Sequence, residues 1–343
     1  MGYKNKSYQK SLHQQAYDRL TEKLHAGEGT SKAQAKLDGT MQDKIFSYAT
    51  YQTYSKHCQY FTKWVKEHHP EVTNLKQAQP YAKDWLRERI EQGGKDGKQL
   101  SAWTINVERQ AISKLYGIKP DDKAFFKEVP TRHRVDIIRS RGGAPNNFNE
   151  GTHRDLVNFC KATGLRRNVL ERLTGKDYAS RAQIEKAVEK LENLKLTPKQ
   201  AQELKTVKDT LKAFPETQHF IINRGDKGGR SRFSPIIGEH KDEIADKMKA
   251  LKPDEKLFGK VSKNAPIHTY RAEYGTAIYK AKARDIKDIP RVQGKDGKWR
   301  QKDAYICRGD EKGRVLDKEA MRAVSLALGH NREEVFATNY MRD

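Results

Sequence analysis

The sequence predicts a mainly α chain with small β-hairpins, an α+β architecture in two domains. Three observations carry this reading. The chain has 343 residues, which suits two domains at roughly 150 residues each. Apolar side chains recur at spacings of three and four over much of its length, the period of helices with one buried face. Near 220–237, and again within 291–316, that period gives way to short apolar runs around glycine-containing turns, the pattern of hairpins.

Residues 1–40 are polar and rich in Gln and Lys, and read as a helical N-terminal extension, with a helix from Tyr8 to Leu24 that stops near Gly27. Residues 41–128 read as a small helical domain. One helix spans about 43–68, with Ile45, Tyr48, Tyr51, Tyr54, Phe61 and Trp64, and ends before Pro70. A second runs over 81–92 to Gly93-Gly94. A third starts at Ser101, a residue suited to accept the first free backbone N–H groups, and carries Trp103, Val107, Ile112 and Leu115. Residues 129–147 hold two prolines, two glycines and a run of arginines. They read as a basic inter-domain linker in which Arg132, Arg134, Arg139 and Arg141 are candidate phosphate contacts.

The second domain spans 148–343 and opens with a helix over about 150–162. Residues 179–214 predict a helical hairpin whose seam (Ile184, Val188, Leu191 against Leu204, Val207, Leu211, Phe214) closes on itself, hence a self-contained arm. A basic β-hairpin follows at 220–237, with Arg230 and Arg232 in its turn region as further candidate DNA contacts. A second hairpin is expected at 291–316. Helices over 267–283 and 318–328 and a short one reaching Tyr340 close the chain.

Composition narrows the function classes. Apolar residues make up 35% and charged residues 33%; 68 Lys and Arg against 45 Asp and Glu give a formal charge of +23. Such self-repulsion points to an anionic partner, nucleic acid first. No apolar run approaches a membrane span, and the N-terminus lacks a signal-peptide core, so a cytoplasmic protein is expected. Cys58, Cys160 and Cys307 lie far apart, without zinc spacing or a disulfide framework, and no metal or cofactor is expected.

Four segments carry chemistry together. They are Thr163-Gly164-Leu165-Arg166, the turn around Lys227, His268-Thr269-Tyr270-Arg271, and Leu328-Gly329-His330 with Tyr340 ten residues on. Taken singly, each is an ordinary surface or packing feature. As a set they fit metal-free phosphoryl transfer. Two arginines can clamp the charge that develops on a phosphodiester, and a lysine can protonate the leaving oxygen. Imidazoles can act as base or donor, and a tyrosine hydroxyl is a competent nucleophile.

At these residues the chain resembles the tyrosine recombinases: phage-type integrases of the lambda kind, the Xer proteins and Cre. Arg166 with Leu170, Leu173 and Asp177 resembles the family's first arginine box. Lys227 with Arg232-Phe233-Ser234-Pro235 resembles its hairpin lysine and following strand. His268 and Arg271 match the His-x-x-Arg box, His330 the Leu-Gly-His box, and Tyr340 the nucleophile. Val169 stands where the family often has an acid, with Glu171 out of register.

The resemblance implies a C-shaped two-domain clamp, with a helical core-binding domain before the catalytic domain. It implies site-specific recombination through a 3′-phosphotyrosyl intermediate: an integrase or transposase of a mobile element, in a bacterial or phage setting. Arg166 and Arg271 would stabilise the phosphate and Lys227 protonate the leaving oxygen. His268 would take the Tyr340 proton, and His330 would donate to the phosphate. Partners would be double-stranded recombination sites, three further copies in a homotetramer, and an excisionase or DNA-bending accessory protein, with no membrane and no cofactor. A type IB topoisomerase and a non-catalytic DNA-binding protein stay open as alternatives.

Overall fold

In the computed structural model, residues 10–94, 97–126, 129–130, 147–226, 230–308, 311–330 and 332–341 are described. Contacts within the chain divide it into two compact units, Met1–Arg132 and His133–Asp343.

The first unit is helical among its described residues: α1 (Leu12–Gly27), α2 (Lys32–Leu37), α3 (Tyr48–His68), α4 (Leu75–Ala78), α5 (Ala82–Gln92), α6 (Ala102–Tyr116) and α7 (Lys123–Phe126). Serines start four of them. Ser11, Ser31, Ser47 and Ser101 each accept a hydrogen bond from the backbone N–H three residues on, satisfying a donor that the helix itself leaves open. Ser47 also explains why α3 begins at Tyr48 and not at 43. Helix α1 corrects one expectation: it is no extension. Leu12, Ala16 and Leu20, four residues apart, form a narrow apolar stripe on a polar helix and enter one core with Phe61, Val65, Trp85, Ile112 and Leu115.

This core encloses a charge. Glu108 of α6 is fully buried; Arg89 donates to its Oε1 at 2.9 Å, and His57 Nδ1 lies 3.4 Å away. Burial pushes the Glu108 carboxyl up, but the nearby His57 and the hydrogen-bonded Arg89 outweigh it and hold the group below the usual carboxylate range.

The second unit contains α8 (Arg154–Thr163), α9 (Arg167–Leu170), β1 (Tyr178–Ser180), α10 (Arg181–Glu192), α11 (Pro198–Ala213), β2 (His219–Asp226), β3 (Arg230–Pro235), α12 (Lys241–Ala250) and α13 (Ile267–Lys282). It continues through β4 (Arg291–Gln293), β5 (Trp299–Gln301), β6 (Ala304–Ile306), β7 (Val315–Asp317), α14 (Lys318–Leu328) and α15 (Glu334–Asn339). Strands β1, β2 and β3 form an antiparallel sheet in that order, with Ile222 opposite Phe233 and Asn223 opposite Arg232.

Two expectations are corrected here. The region 291–316 is not one hairpin but two short ribbons, β4–β5 and β6–β7. Nor is the arm self-contained. Val188, Val207 and Leu211 of its seam pack with Ile184 on Phe220, Ile222 and Phe233 of the sheet, and α11 also lies against α14. An arm only two helices wide cannot cover both faces of its own apolar stripe, so the strands supply the rest. The tip keeps Leu191 and Leu194 exposed.

All three cysteines are free and buried. No helix among the described residues is long and apolar enough to cross a membrane.

Candidate active site

The site forms where two helices end. Helix α8 stops at Gly164, whose φ of 59° is left-handed and whose N–H returns to the carbonyl of Cys160 at 2.9 Å. A side chain there would collide with the ring of Tyr274, so both the turn and the packing select glycine. Leu165 then enters the core and Arg166, in extended backbone, is left half-exposed at the start of α9.

The next residue, Arg167, donates to the carbonyls of Val261 at 3.0 Å and Ala265 at 2.9 Å and to that of Ser262. Glu171 accepts from the Val261 N–H at 3.2 Å. Together they pin the loop that leads into α13, which carries His268 and Arg271. Neither role is visible in the sequence beyond the Arg166-Arg167 doublet. Val169, at the position read as lacking an acid, is buried in the core.

Arg271 ties the segments together. It is 1% exposed and donates through Nη1 to the Gly164 carbonyl and through Nη2 to that of Leu328. These carbonyls terminate α8 and α14, the negative ends of two helix dipoles. Its Nη2 is also 3.4 Å from Nε2 of His330. Arginine only donates, so Nε2 accepts and the proton of the neutral ring sits on Nδ1. That Nδ1 is buried and meets no hydrogen-bond partner among the described residues.

Gly329 makes the second turn, with φ of 67°, and a side chain there would strike Arg232. Arg232 corrects the reading that placed it among DNA contacts of an exposed turn. It is 4% exposed, and its Nη1 donates to the Ala327 carbonyl at 2.6 Å beside Ser234, whose hydroxyl donates to the same oxygen at 3.3 Å. Strand alternation sends Arg232 and Ser234 to one face, toward the end of α14.

The sum is a positive field. Burial first, then Arg271, Arg166 and Arg232, push the His330 imidazole down to about 2. The ring of Tyr340 lies 5.1 Å from that of His330 at 31°, and the Arg271 guanidinium lies 5.7 Å from the Tyr340 ring centre. Tyr340 follows α15 directly; its N–H returns to the Phe336 carbonyl at 2.9 Å, and Phe336 is fully buried against Tyr279.

Arg166, Arg271, His330 and Tyr340 are thus brought together, with Arg232 added. His268 is exposed on the first turn of α13, three residues before Arg271 and so on the same side of the helix. Lys227, Arg132, Arg134, Arg139 and Arg141 lie outside the described residues, and of Arg230 only the backbone is described, opposite Asp226 in the sheet.

No protein-family model and no curated protein matches the chain. Among solved structures the chain is similar to the XerH site-specific recombinase bound to palindromic difH substrate, a post-cleavage complex. The identity is 12% and the TM-score 0.43, over 97% of this chain and 91% of that one.

Proposed function

We propose that the chain is a site-specific DNA recombinase that cuts and rejoins DNA through a 3′-phosphotyrosyl intermediate. One observation carries this reading. Arg166, Arg232, Arg271, His330 and Tyr340, drawn from segments scattered over 175 residues, meet at one positive site beside a tyrosine.

In the proposed reaction Tyr340 Oη attacks the scissile phosphorus. A P–Oη bond forms and the bond to the 5′ oxygen breaks. The tyrosine proton passes to His268, and the leaving oxygen takes a proton from Lys227, giving a free 5′-hydroxyl. Arg166 and Arg271, with Arg232 behind them, hold the charge on the non-bridging oxygens, and the Nδ1–H of His330 donates to one of them. Rejoining reverses each transfer with a new 5′-hydroxyl. The net charge of +23 supports a polyanionic substrate. A mobile-element integrase acting as a homotetramer, with a clamp around the duplex and an accessory protein, is the finer form of the same proposal.

The test uses a pool of randomised, nicked, labelled duplexes, in which the short fragment released by cleavage diffuses away and traps the intermediate. Wild-type protein is expected to give an adduct that survives detergent and disappears with protease, and Tyr340→Phe none. An adduct with Tyr340→Phe moves the nucleophile elsewhere. Binding without any adduct leaves a non-catalytic DNA-binding protein.

A further inference from the structure

Between α13, which carries Arg271, and α14, which leads to His330, the ribbon β4–β5 stands apart from every core. Arg291, Val292, Gln293, Lys295, Asp296, Lys298, Trp299 and Arg300 are all exposed, so both faces are solvated. Strands this short, with no covered face, gain little from folding alone. The ribbon is instead held at its base. The Lys302 N–H donates to the Pro290 carbonyl at 2.9 Å, Gln301 donates to the Ile286 carbonyl, and Ile289 is buried. Just below, Arg284 holds the fully buried Asp317 through two bonds of 2.8 Å. A rigid base thus presents a solvated tip.

The tip has a distinct chemistry. Over 291–302 five cations, Arg291, Lys295, Lys298, Arg300 and Lys302, stand against one acid, Asp296, which is paired with Arg300. Pairing across the ribbon sets Gln293 opposite Trp299 and Arg291 opposite Gln301, so these four share one face, with Val292 and Arg300 on the other. Trp299 is 59% exposed. An indole left in water among cations has no structural use in the free chain.

We propose that this ribbon is a second DNA-binding element, seated in a groove of the duplex away from the cleaved phosphate. The inference rests on DNA being the substrate, as proposed above. A two-stranded ribbon fits the major groove, where Arg and Gln match the base edges of guanine and adenine. In this seat Arg291, Gln293 and Trp299 face the bases, and Lys295, Lys298 and Lys302 reach phosphates. Charge decides the occupant: a solvated tip with five cations against one acid attracts a duplex.

The experiment measures anisotropy of a fluorescein-labelled 40-base-pair random duplex over a KCl series, with tryptophan emission read in parallel. The triple variant Lys295→Gln, Lys298→Gln, Lys302→Gln is expected to make the slope of log K against log salt shallower by about 2–3, near 0.9 per lost phosphate contact. Trp299→Ala is expected to weaken binding about tenfold at fixed salt with the slope unchanged, through the lost apolar contact with base edges. Duplex should quench wild-type emission, and Trp299→Phe should remove most of that quench although Trp64, Trp85 and Trp103 remain.

Wild-type affinity, slope and quench in all these variants overturn the proposal while leaving recombination intact, provided wild type still forms its adduct. A wild type that neither binds duplex nor forms an adduct overturns both. A changed sedimentation coefficient with unchanged DNA affinity makes the ribbon a protein interface and also overturns it.

Discussion

The two units bury charge in opposite ways. In the first, the Glu108 carboxylate is met by Arg89 and His57, and the cluster is closed. In the second, the guanidiniums of Arg271 and Arg232 are met by main-chain carbonyls at helix ends, which orient them without cancelling a full charge. The result shows at His330, held neutral by burial first and then by the charges of Arg271, Arg166 and Arg232. A buried charge that is neutralised supports a fold. A carbonyl carries no full charge, so the guanidiniums it orients still act on His330.

The sharpest way to break this comparison is Arg271→Ala. In the proposed reaction it removes a phosphate donor, and in the fold the link between the two helix ends, so adduct formation should fall by about 10²–10³-fold in a trapping assay. Arg271→Lys should not restore it, because one ammonium cannot reproduce a planar fork spanning two carbonyls and His330. Full rescue by lysine would reduce the role of Arg271 to charge alone.

Next in size is Glu108→Gln. It leaves Arg89 and His57 facing a neutral group inside the core, and the first unit should lose about 3 kcal/mol in urea unfolding. Adduct formation per folded molecule should be unchanged. A loss of chemistry without a loss of stability would give the Glu108 cluster a role beyond supporting its own core.

The smallest effect concerns His330. In the unfolded chain the imidazole takes up a proton near 6.5, whereas in the fold burial and the three arginines hold it neutral to about 2. Between these values the unfolded state binds more protons, so stability falls as pH falls. From pH 7 to 5 the loss is about 2 kcal/mol from this group. His330→Gln should therefore flatten the fall in melting temperature over that range. Parallel pH curves for variant and wild type would contradict the field described at the site.

Much of this was legible in the sequence, because helices announce themselves by spacing and caps by residue type. Ser101 and the stretches 81–92 and 318–328 were readable on those grounds alone, as was the pairing of His268 with Arg271 on one side of a helix. The remainder depended on partners far along the chain. Arg232 reads as a surface cation, and only the register of β3 against α14 turns it inward. The seam of the arm reads as closed, because Phe220, Ile222 and Phe233 belong to a different stretch. Helix α1 is so polar that Leu12, Ala16 and Leu20, at intervals of four, leave only a faint apolar stripe in its sequence. The three-residue strands of 291–316 are too short for period alone to separate two ribbons from one.

The double grip of Arg271 has a further consequence. The Gly164 and Leu328 carbonyls become available to one guanidinium only once α8 and α14 have both docked. Tyr340 in turn is held in place by Phe336, buried in the same cluster as α14. The cluster of Arg232, Arg271, His330 and Tyr340 is therefore not a preformed pocket that the fold surrounds; it exists only in the completed tertiary structure. A nascent or partly melted chain carries every one of these side chains without their arrangement, so the proposed chemistry waits on completed folding.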